Sequence, residues 1–130
     1  MLQSHELLPL LVECCPGLRD RLIPDVDYWL NGDGTISYHR IAHVLIGLVA
    51  DRFQAGDYSF SDSLFARIEQ LLTDGSEEVQ TLTATGILEG LQNRLPPELW
   101  VPLLGPKARE YLIAWDRFHG ANTPGLEEPV

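Results

Sequence analysis

One segment, residues 76–92, is apolar on most sides and constrains the fold more than any other part of the chain. Ser76 is a favourable N-cap, because its hydroxyl can accept a hydrogen bond from a free backbone N–H of the first turn. Glu77 and Glu78 then place negative charge at the positive end of the helix dipole. At 100° per residue the apolar and small side chains share a broad face: Val79, Leu82, Thr83, Ala84, Gly86, Ile87, Leu88, Gly90 and Leu91. The segment predicts a mostly buried helix at the centre of a bundle.

The one polar edge of this helix is a line of side chains three or four residues apart, which we call the polar seam: Glu78, Thr81, Thr85, Glu89 and Gln92. Gly86 and Gly90 each cost about 1 kcal/mol relative to alanine inside a helix. The usual reason for such glycines is the close approach of a neighbouring helix. The sequence therefore predicts tight packing at the glycines and an exposed acidic edge at the seam.

The other apolar patterns are helical as well, and no strong strand pattern interrupts them. We expect a single all-α domain over residues 1–119, built as a bundle of about five or six antiparallel helices. Residues 61–72 and 76–92 resemble a HEAT- or armadillo-like pair, but no repeat of this pair is found, which favours an irregular bundle over a solenoid. Residues 18–30 suggest short helical turns. The tail, residues 120–130, holds two Pro, two Gly and two Glu, a composition that predicts disorder.

The net charge of −10 at pH 7 limits the partners of the protein. Nucleic acid and anionic membranes would repel such a surface, so we expect neither of them and favour a basic protein. Cys14 and Cys15 are adjacent and poorly placed for a disulfide, which favours a reducing compartment. The N-terminus lacks the basic and long apolar runs of a signal peptide or membrane span. These features predict a cytoplasmic protein, and they leave its oligomeric state open.

Two motifs resemble metal-binding sites. Residues 31–34, Asn-Gly-Asp-Gly, resemble the middle of an EF-hand loop, but Trp29 and Arg40 stand where calcium needs carboxylates. His39 and His43 have the i, i+4 spacing of a zinc pair, without an evident third ligand. No nucleophile elbow or phosphate-binding loop is present. The sequence thus predicts no catalytic residue, cofactor or metal site, with a small metal-dependent enzyme built on the two histidines as the weaker alternative.

Acidic residues gather at the start of the central segment and along its seam. We predict that they form a docking surface for a basic partner, where charge steers association and complementary pairing gives specificity. The predicted partner-binding residues are Asp74, Glu77, Glu78, Thr81, Thr85, Glu89 and Gln92. The alternative is an ordinary solvated surface, in which the acids only complement a helix dipole.

Three runs within residues 71–109 resemble an uncharacterised family of small bacterial all-helical proteins: L-L-T-D-G-S-E-E-V-Q-T-L, G-I-L-E-G-L-Q and L-L-G-P-K-A-R. Members of this family occur beside polymorphic or type VI secretion toxins and are regarded as immunity proteins. The resemblance implies a stoichiometric inhibitor that binds a cognate toxin, such as a basic nuclease effector, and blocks its active site or its access to substrate. Glu77, Glu78 and Glu89 are the positions matched to the family. The main alternative is a helical adaptor that binds a peptide in a groove.

Overall fold

The computed structural model describes residues 1–127, and its named elements in this range are all helical. In chain order they are α1 (Ser4–Cys14), α2 (Leu18–Leu22), α3 (Val26–Trp29), α4 (Tyr38–Gln54), α5 (Ser61–Asp74), α6 (Glu77–Leu82), a π-helical turn (Thr83–Leu88), α7 (Glu89–Arg94), α8 (Pro97–Trp100), a 3-10 turn (Val101–Leu103) and α9 (Pro106–His119). The predicted all-α class is confirmed. The elements outnumber the expected helices, because the central segment is divided into α6, the π-helical turn and α7, and because α2, α3 and α8 are short helices of four or five residues.

Helix α6, the π-helical turn and α7 follow one another without a break and together make the central helix. Ser76 Oγ accepts a hydrogen bond of 3.2 Å from the N–H of Val79, so the predicted N-cap is confirmed. In the π-helical turn the N–H of Glu89 donates to the carbonyl of Ala84, five residues back. Such wide turns occur mostly as single insertions in α-helices, frequently at functional sites. No residue pattern had indicated this one.

The central helix packs against α4, α5 and α9. Most side chains of its predicted core face are buried, and Leu82 is half-buried. The buried ones are Val79, Thr83, Ala84, Ile87, Leu88 and Leu91. A Cβ on Gly86 would lie 3.0 Å from the Cβ of Ala42, and a Cβ on Gly90 would lie 3.0 Å from Cγ1 of Ile46. The two glycines therefore permit the close approach of α4, as their positions predicted.

Helix α4 supplies the facing half of the core with a stripe of buried side chains: Ile41, Ala42, Leu45, Ile46, Leu48, Val49 and Phe53. Helix α1 packs on α5 and α6, while α2 and α3 pack on α4. The N-terminus also holds the start of the central helix, because Leu2 N–H donates to Asp74 O at 2.8 Å and Ser76 N–H donates to Leu2 O at 2.7 Å. Among residues 1–127, no helix has the length and apolar character needed to cross a membrane.

Residues 120–127 pack on the bundle, in contrast to the disorder expected for the tail. Leu126 is buried in the main core, and Thr123 is buried beside α9. Arg109 Nη1 donates to the carbonyl of Leu126 at 2.8 Å. A composition rich in Gly and Pro does not reveal that one leucine and one arginine anchor such a segment. The last part of the predicted tail, residues 128–130, lies outside the described residues.

Candidate functional site

The predicted partner-binding residues divide into an exposed group and a group with internal partners. Asp74, Glu77, Glu78 and Thr81 are exposed around the turn that joins α5 to α6. This turn is short because α5 ends at Asp74 and α6 begins at Glu77. The structure therefore brings these four residues together at the start of the central helix, and we call them the acidic edge. The remaining three, Thr85, Glu89 and Gln92, are half-buried.

The carboxylates of the acidic edge form no ion pair within residues 1–127. Glu77 and Glu78 stand in the first turn of α6, where they complement the dipole of the central helix. Glu78 also acts on Tyr38 at the start of α4. Burial, and after it the charge of Glu78, raises the pKa of the Tyr38 hydroxyl. No lysine, arginine or histidine of the described chain therefore lies within ion-pairing distance of the carboxylates at this edge.

Most arginines are occupied by partners elsewhere in the fold. Four of them donate to backbone carbonyl oxygens: Arg40, Arg52, Arg94 and Arg109. Three more pair with carboxylates away from the acidic edge: Arg21, Arg67 and Arg117. The hydrogen bonds and ion pairs of these seven arginines are therefore all made away from the acidic edge.

A groove of about 430 Å³ lies on one side of the seam, between the central helix and α9. Leu72, Ala84 and Thr85 form part of its wall. At the seam, the hydroxyl of Tyr111 on α9 donates a hydrogen bond of 3.1 Å to Glu89 Oε2. Burial, and then the Glu89 carboxylate, raises the pKa of Tyr111 to about 12. Glu89 therefore connects the central helix to α9 in addition to lying at the seam.

A smaller cleft of about 220 Å³ lies on the opposite side of the seam, against α4. His39 Nε2 is 2.9 Å from Thr85 Oγ1, so the predicted seam threonine has an internal partner. Arg94 Nη1 donates to the carbonyl of His43 at 3.0 Å and lies 3.4 Å from its Nδ1 atom. In the part of the chain that the structure describes, no group of three or more His, Cys, Asp and Glu could hold a metal ion. The two histidines instead have separate hydrogen-bonding partners.

The last seam residue, Gln92, points towards the C-terminal segment. Its Nε2 donates to Asp116 Oδ1 at 2.8 Å and to Thr123 Oγ1 at 3.0 Å. Its amide nitrogen is therefore already engaged, and the role of Gln92 is to attach residues 120–127 to the bundle. The sequence did not reveal this role, because both partners lie far along the chain.

The other residues considered for chemistry have structural roles. Cys14 and Cys15 are buried free thiols. Burial raises the pKa of both, that of Cys15 to about 11, so neither is an activated nucleophile. In the EF-hand-like loop, Asp33 Oδ1 accepts hydrogen bonds from the N–H and the hydroxyl of Thr35, at 3.0 and 2.6 Å. Gly34 adopts a φ of 86°, so this segment forms a tight turn before α4.

One surface feature was not anticipated from the sequence. Residues 18–30 form the expected short helices, but several of their apolar side chains face solvent: Ile23, Val26, Tyr28 and Leu30. We call these four the α2–α3 patch. The available signal was the presence of Asp20, Asp25 and Asp27 among the apolar residues, which leaves no continuous apolar face for the core.

The acidic edge and the α2–α3 patch both lie within a segment that matches the model of one protein family. Residues 8–120 match the model of a family described as Domain of unknown function (DUF7674). This span begins within α1, extends one residue beyond α9, and includes the acidic edge and the α2–α3 patch. No curated protein and no solved structure matches the chain.

Proposed function

The chain belongs to the DUF7674 family, a domain of unknown function, and we propose that it is an immunity protein. It binds a cognate bacterial toxin in the cytoplasm at one-to-one stoichiometry and neutralises it by covering the active site or the path of the substrate. The partner is a basic protein, such as a nuclease effector. The proposal rests on the resemblance of residues 71–109 to immunity proteins and on the charge of the acidic edge.

The observation that carries the proposal is the set of exposed carboxylates without ion-pair partners in residues 1–127: Asp74, Glu77 and Glu78. Lysine and arginine side chains of a partner could pair with them without displacing an internal salt bridge. Unscreened charge of one sign also accelerates association with a partner of opposite charge. A basic protein is therefore the partner that this edge would bind best.

A nuclease fits this description for a specific reason. Its substrate site must attract phosphates, so it carries lysines and arginines that are accessible to a polyanion. The carboxylates of the acidic edge offer negative charge at the start of the central helix. An immunity protein with such an edge would occupy the phosphate-binding surface and exclude the nucleic acid.

The test is to express the protein encoded by the adjacent gene, alone and together with this chain. We expect the neighbouring protein to arrest growth when it is produced alone, and co-expression to restore growth. The purified pair should form a one-to-one complex whose affinity falls steeply as salt rises, because the charges are solvent-exposed. Growth arrest that co-expression does not relieve would contradict the proposal.

A second candidate function is a peptide-binding adaptor. It is favoured by the groove between the central helix and α9, whose wall includes the apolar side chains of Leu72 and Ala84 beside the charged Lys107 and Glu110. Helical folds often hold an amphipathic segment in such a groove. Pull-downs distinguish the two functions, because an adaptor would retain several unrelated partners, whereas an immunity protein would retain one toxin.

A further inference from the structure

Residues 121–127, which we call the anchored segment, pack on the bundle without forming a helix. Leu126 is 2% exposed and belongs to the main core. Most other side chains of the segment are exposed: Ala121, Asn122, Pro124 and Glu127. A groove holds a bound peptide in this way, through pockets for single side chains, whereas a helix of a bundle buries a continuous face.

Arg109 of α9 holds the backbone of the anchored segment. Its Nη1 atom donates to the carbonyl of Gly125 at 3.3 Å and to that of Leu126 at 2.8 Å. Its Nη2 atom donates to the carbonyl of Val101 at 2.9 Å, which fixes the guanidinium between the segment and the 3-10 turn. A Cβ on Gly125 would lie 3.5 Å from Cγ1 of Val101, so the segment runs against that turn. Arg109 therefore recognises backbone carbonyl groups, which every peptide has.

Two further contacts recognise side chains of the segment. The hydroxyl of Thr123 donates to Asp116 Oδ1 at 3.1 Å and accepts a hydrogen bond of 3.0 Å from Gln92 Nε2. Glu127 Oε1 lies 2.6 Å from Nη2 of Arg117. Together with the buried leucine, these contacts define a pattern: a hydroxyl, an apolar side chain three positions later, and a carboxylate directly after it.

The surface that receives the segment is separate from the segment itself. We call this surface the C-terminal groove, and its residues all lie within the part of the chain that matches the family model, residues 8–120: Gln92, Val101, Arg109, Asp116 and Arg117. The anchored segment lies beyond that match. Gly120, with a φ of 66°, ends α9 where the chain turns into the segment. Glycine adopts many backbone conformations, so the chain can pivot there without unwinding α9.

We propose that the C-terminal groove is a peptide-binding site, which residues 121–127 occupy in cis and a segment of another protein occupies when they leave. The ligand has the chemistry of the anchored segment: a serine or threonine, a leucine three positions later, and an acidic residue directly after the leucine. Charge complementarity favours the acidic residue, because Arg117 lies beside that position.

The C-terminal groove is a different surface from those of the proposed functions. It lies at the end of the central helix opposite to the acidic edge. The groove of about 430 Å³ between the central helix and α9 has none of its five residues in its lining. The inference therefore goes beyond the proposed function and does not depend on it.

The probe for the test is a synthetic peptide that copies residues 121–127, Ala-Asn-Thr-Pro-Gly-Leu-Glu, with both ends blocked to remove the terminal charges. It is added to the full chain carrying Leu126→Ala, whose own segment is weakly held. We expect backbone amide shifts in NMR spectra at Gln92, Val101 and Arg109. The wild type should bind the peptide at least about tenfold more weakly, because its tethered segment competes at a high effective concentration.

Two further variants of the full chain accompany the first. Thr123→Ala also loosens the segment but keeps the buried leucine, so the test still works if Leu126→Ala does not fold. It should bind the peptide more tightly than the wild type does. Asn122→Ala is the matched control, because Asn122 is an exposed residue of the same segment. It should bind the peptide as weakly as the wild type.

Altered peptides test the predicted pattern. Replacement of the peptide leucine by alanine should weaken binding to the Leu126→Ala chain at least about tenfold, as the loss of a central apolar anchor does. Adding Arg117→Glu to that chain should weaken binding of the original peptide about threefold at low salt, since the ion pair is exposed. A peptide with lysine in place of its glutamate should restore the affinity for this double variant.

Several results would overturn the inference. One is the absence of peptide binding to Leu126→Ala and Thr123→Ala chains whose amide spectra show that they are folded. Another is equal binding of the alanine peptide, or shifts confined to residues outside the groove. A third is hydrogen exchange at the Thr123 and Leu126 amides of the wild type as slow as that of the α5 core, because the segment would then leave only when the whole chain unfolds. A wild-type dimer that Leu126→Ala dissociates would make a second copy the occupant instead.

Discussion

Gln92 donates a hydrogen bond of 2.8 Å to the carboxylate of Asp116 and thereby joins the end of the central helix to the end of α9. Asp116 is only 3% exposed, and it also accepts bonds from the N–H and the hydroxyl of Thr123, at 2.7 and 3.1 Å. A buried carboxylate is tolerated when several hydrogen-bond donors satisfy it, and removing these hydrogen bonds lowers the free energy of unfolding. One side chain therefore fixes the end of the polar seam and the C-terminal segment together.

Asp116→Asn should lower the free energy of unfolding by about 2 kcal/mol. The substitution replaces one carboxylate oxygen by an NH2 group, which cannot accept the hydrogen bonds that Gln92 and Thr123 donate. Urea denaturation measures the loss, and hydrogen exchange at the Thr123 amide should accelerate more than exchange in α5. Glu110→Gln, on the exposed side of α9, is the control and should change stability by less than about 0.5 kcal/mol. Equal stability of Asp116→Asn and wild type would show that the carboxylate is not what holds the segment.

The Tyr111 hydroxyl should ionise near pH 12, since its pKa is raised to about 12 by burial and then by Glu89. The unfolded chain loses this proton near pH 10. The stabilising contribution of neutral Tyr111 is therefore complete below about pH 10 and disappears as the pH rises through 12. Ultraviolet titration of tyrosinate should show a late step that Tyr111→Phe removes.

Glu89→Gln separates the two causes of this shift. We expect the Tyr111 pKa to fall only part of the way towards 10, because burial remains after the charge is removed. Glu98→Gln, an acid on α8, serves as the control and should leave the late step unchanged. A late step that survives in Tyr111→Phe would mean that another tyrosine is responsible.

Local features of the central helix could be predicted from the sequence. The Ser76 cap depends on a residue and the N–H three positions later, so the signal lies within one turn. The close approach at Gly86 and Gly90 could also be inferred, because glycine inside a helix is costly unless packing needs it. In both cases a short stretch of sequence contains the whole physical cause.

The partners of the seam could not be predicted in the same way. Glu89 meets Tyr111 across 22 residues of sequence, and Gln92 meets Thr123 across 31. A line of polar residues on a helix looks the same whether it faces water or the side chains of another helix. The long-range fold decides between the two, and it left the acidic edge exposed while it gave Glu89 and Gln92 internal partners.

Gly86→Ala should destabilise the protein by about 1 kcal/mol, although alanine favours a helix. The new Cβ would lie 3.0 Å from the Cβ of Ala42, which is fixed to the backbone of α4 and cannot rotate away. A double-mutant cycle with Ala42→Gly should reveal this contact as a coupling of about 1 kcal/mol, measured by urea denaturation. Gly32→Ala is the control, because nothing lies within 4 Å of its Cβ position. Additive effects of the two changes would argue against close packing of the central helix on α4.

Glu78→Lys should weaken binding to the protein encoded by the adjacent gene at least about tenfold at low salt, mainly through slower association. The difference should shrink as salt is added, because the carboxylate is exposed. Asp62→Lys is the matched control, since Asp62 is also an exposed acid in the first turn of a helix, at the far end of α5. Both changes add the same charge and should each cost about 0.5 kcal/mol of stability through the helix dipole. If both weaken binding equally, net charge drives association, and the acidic edge is not the contact.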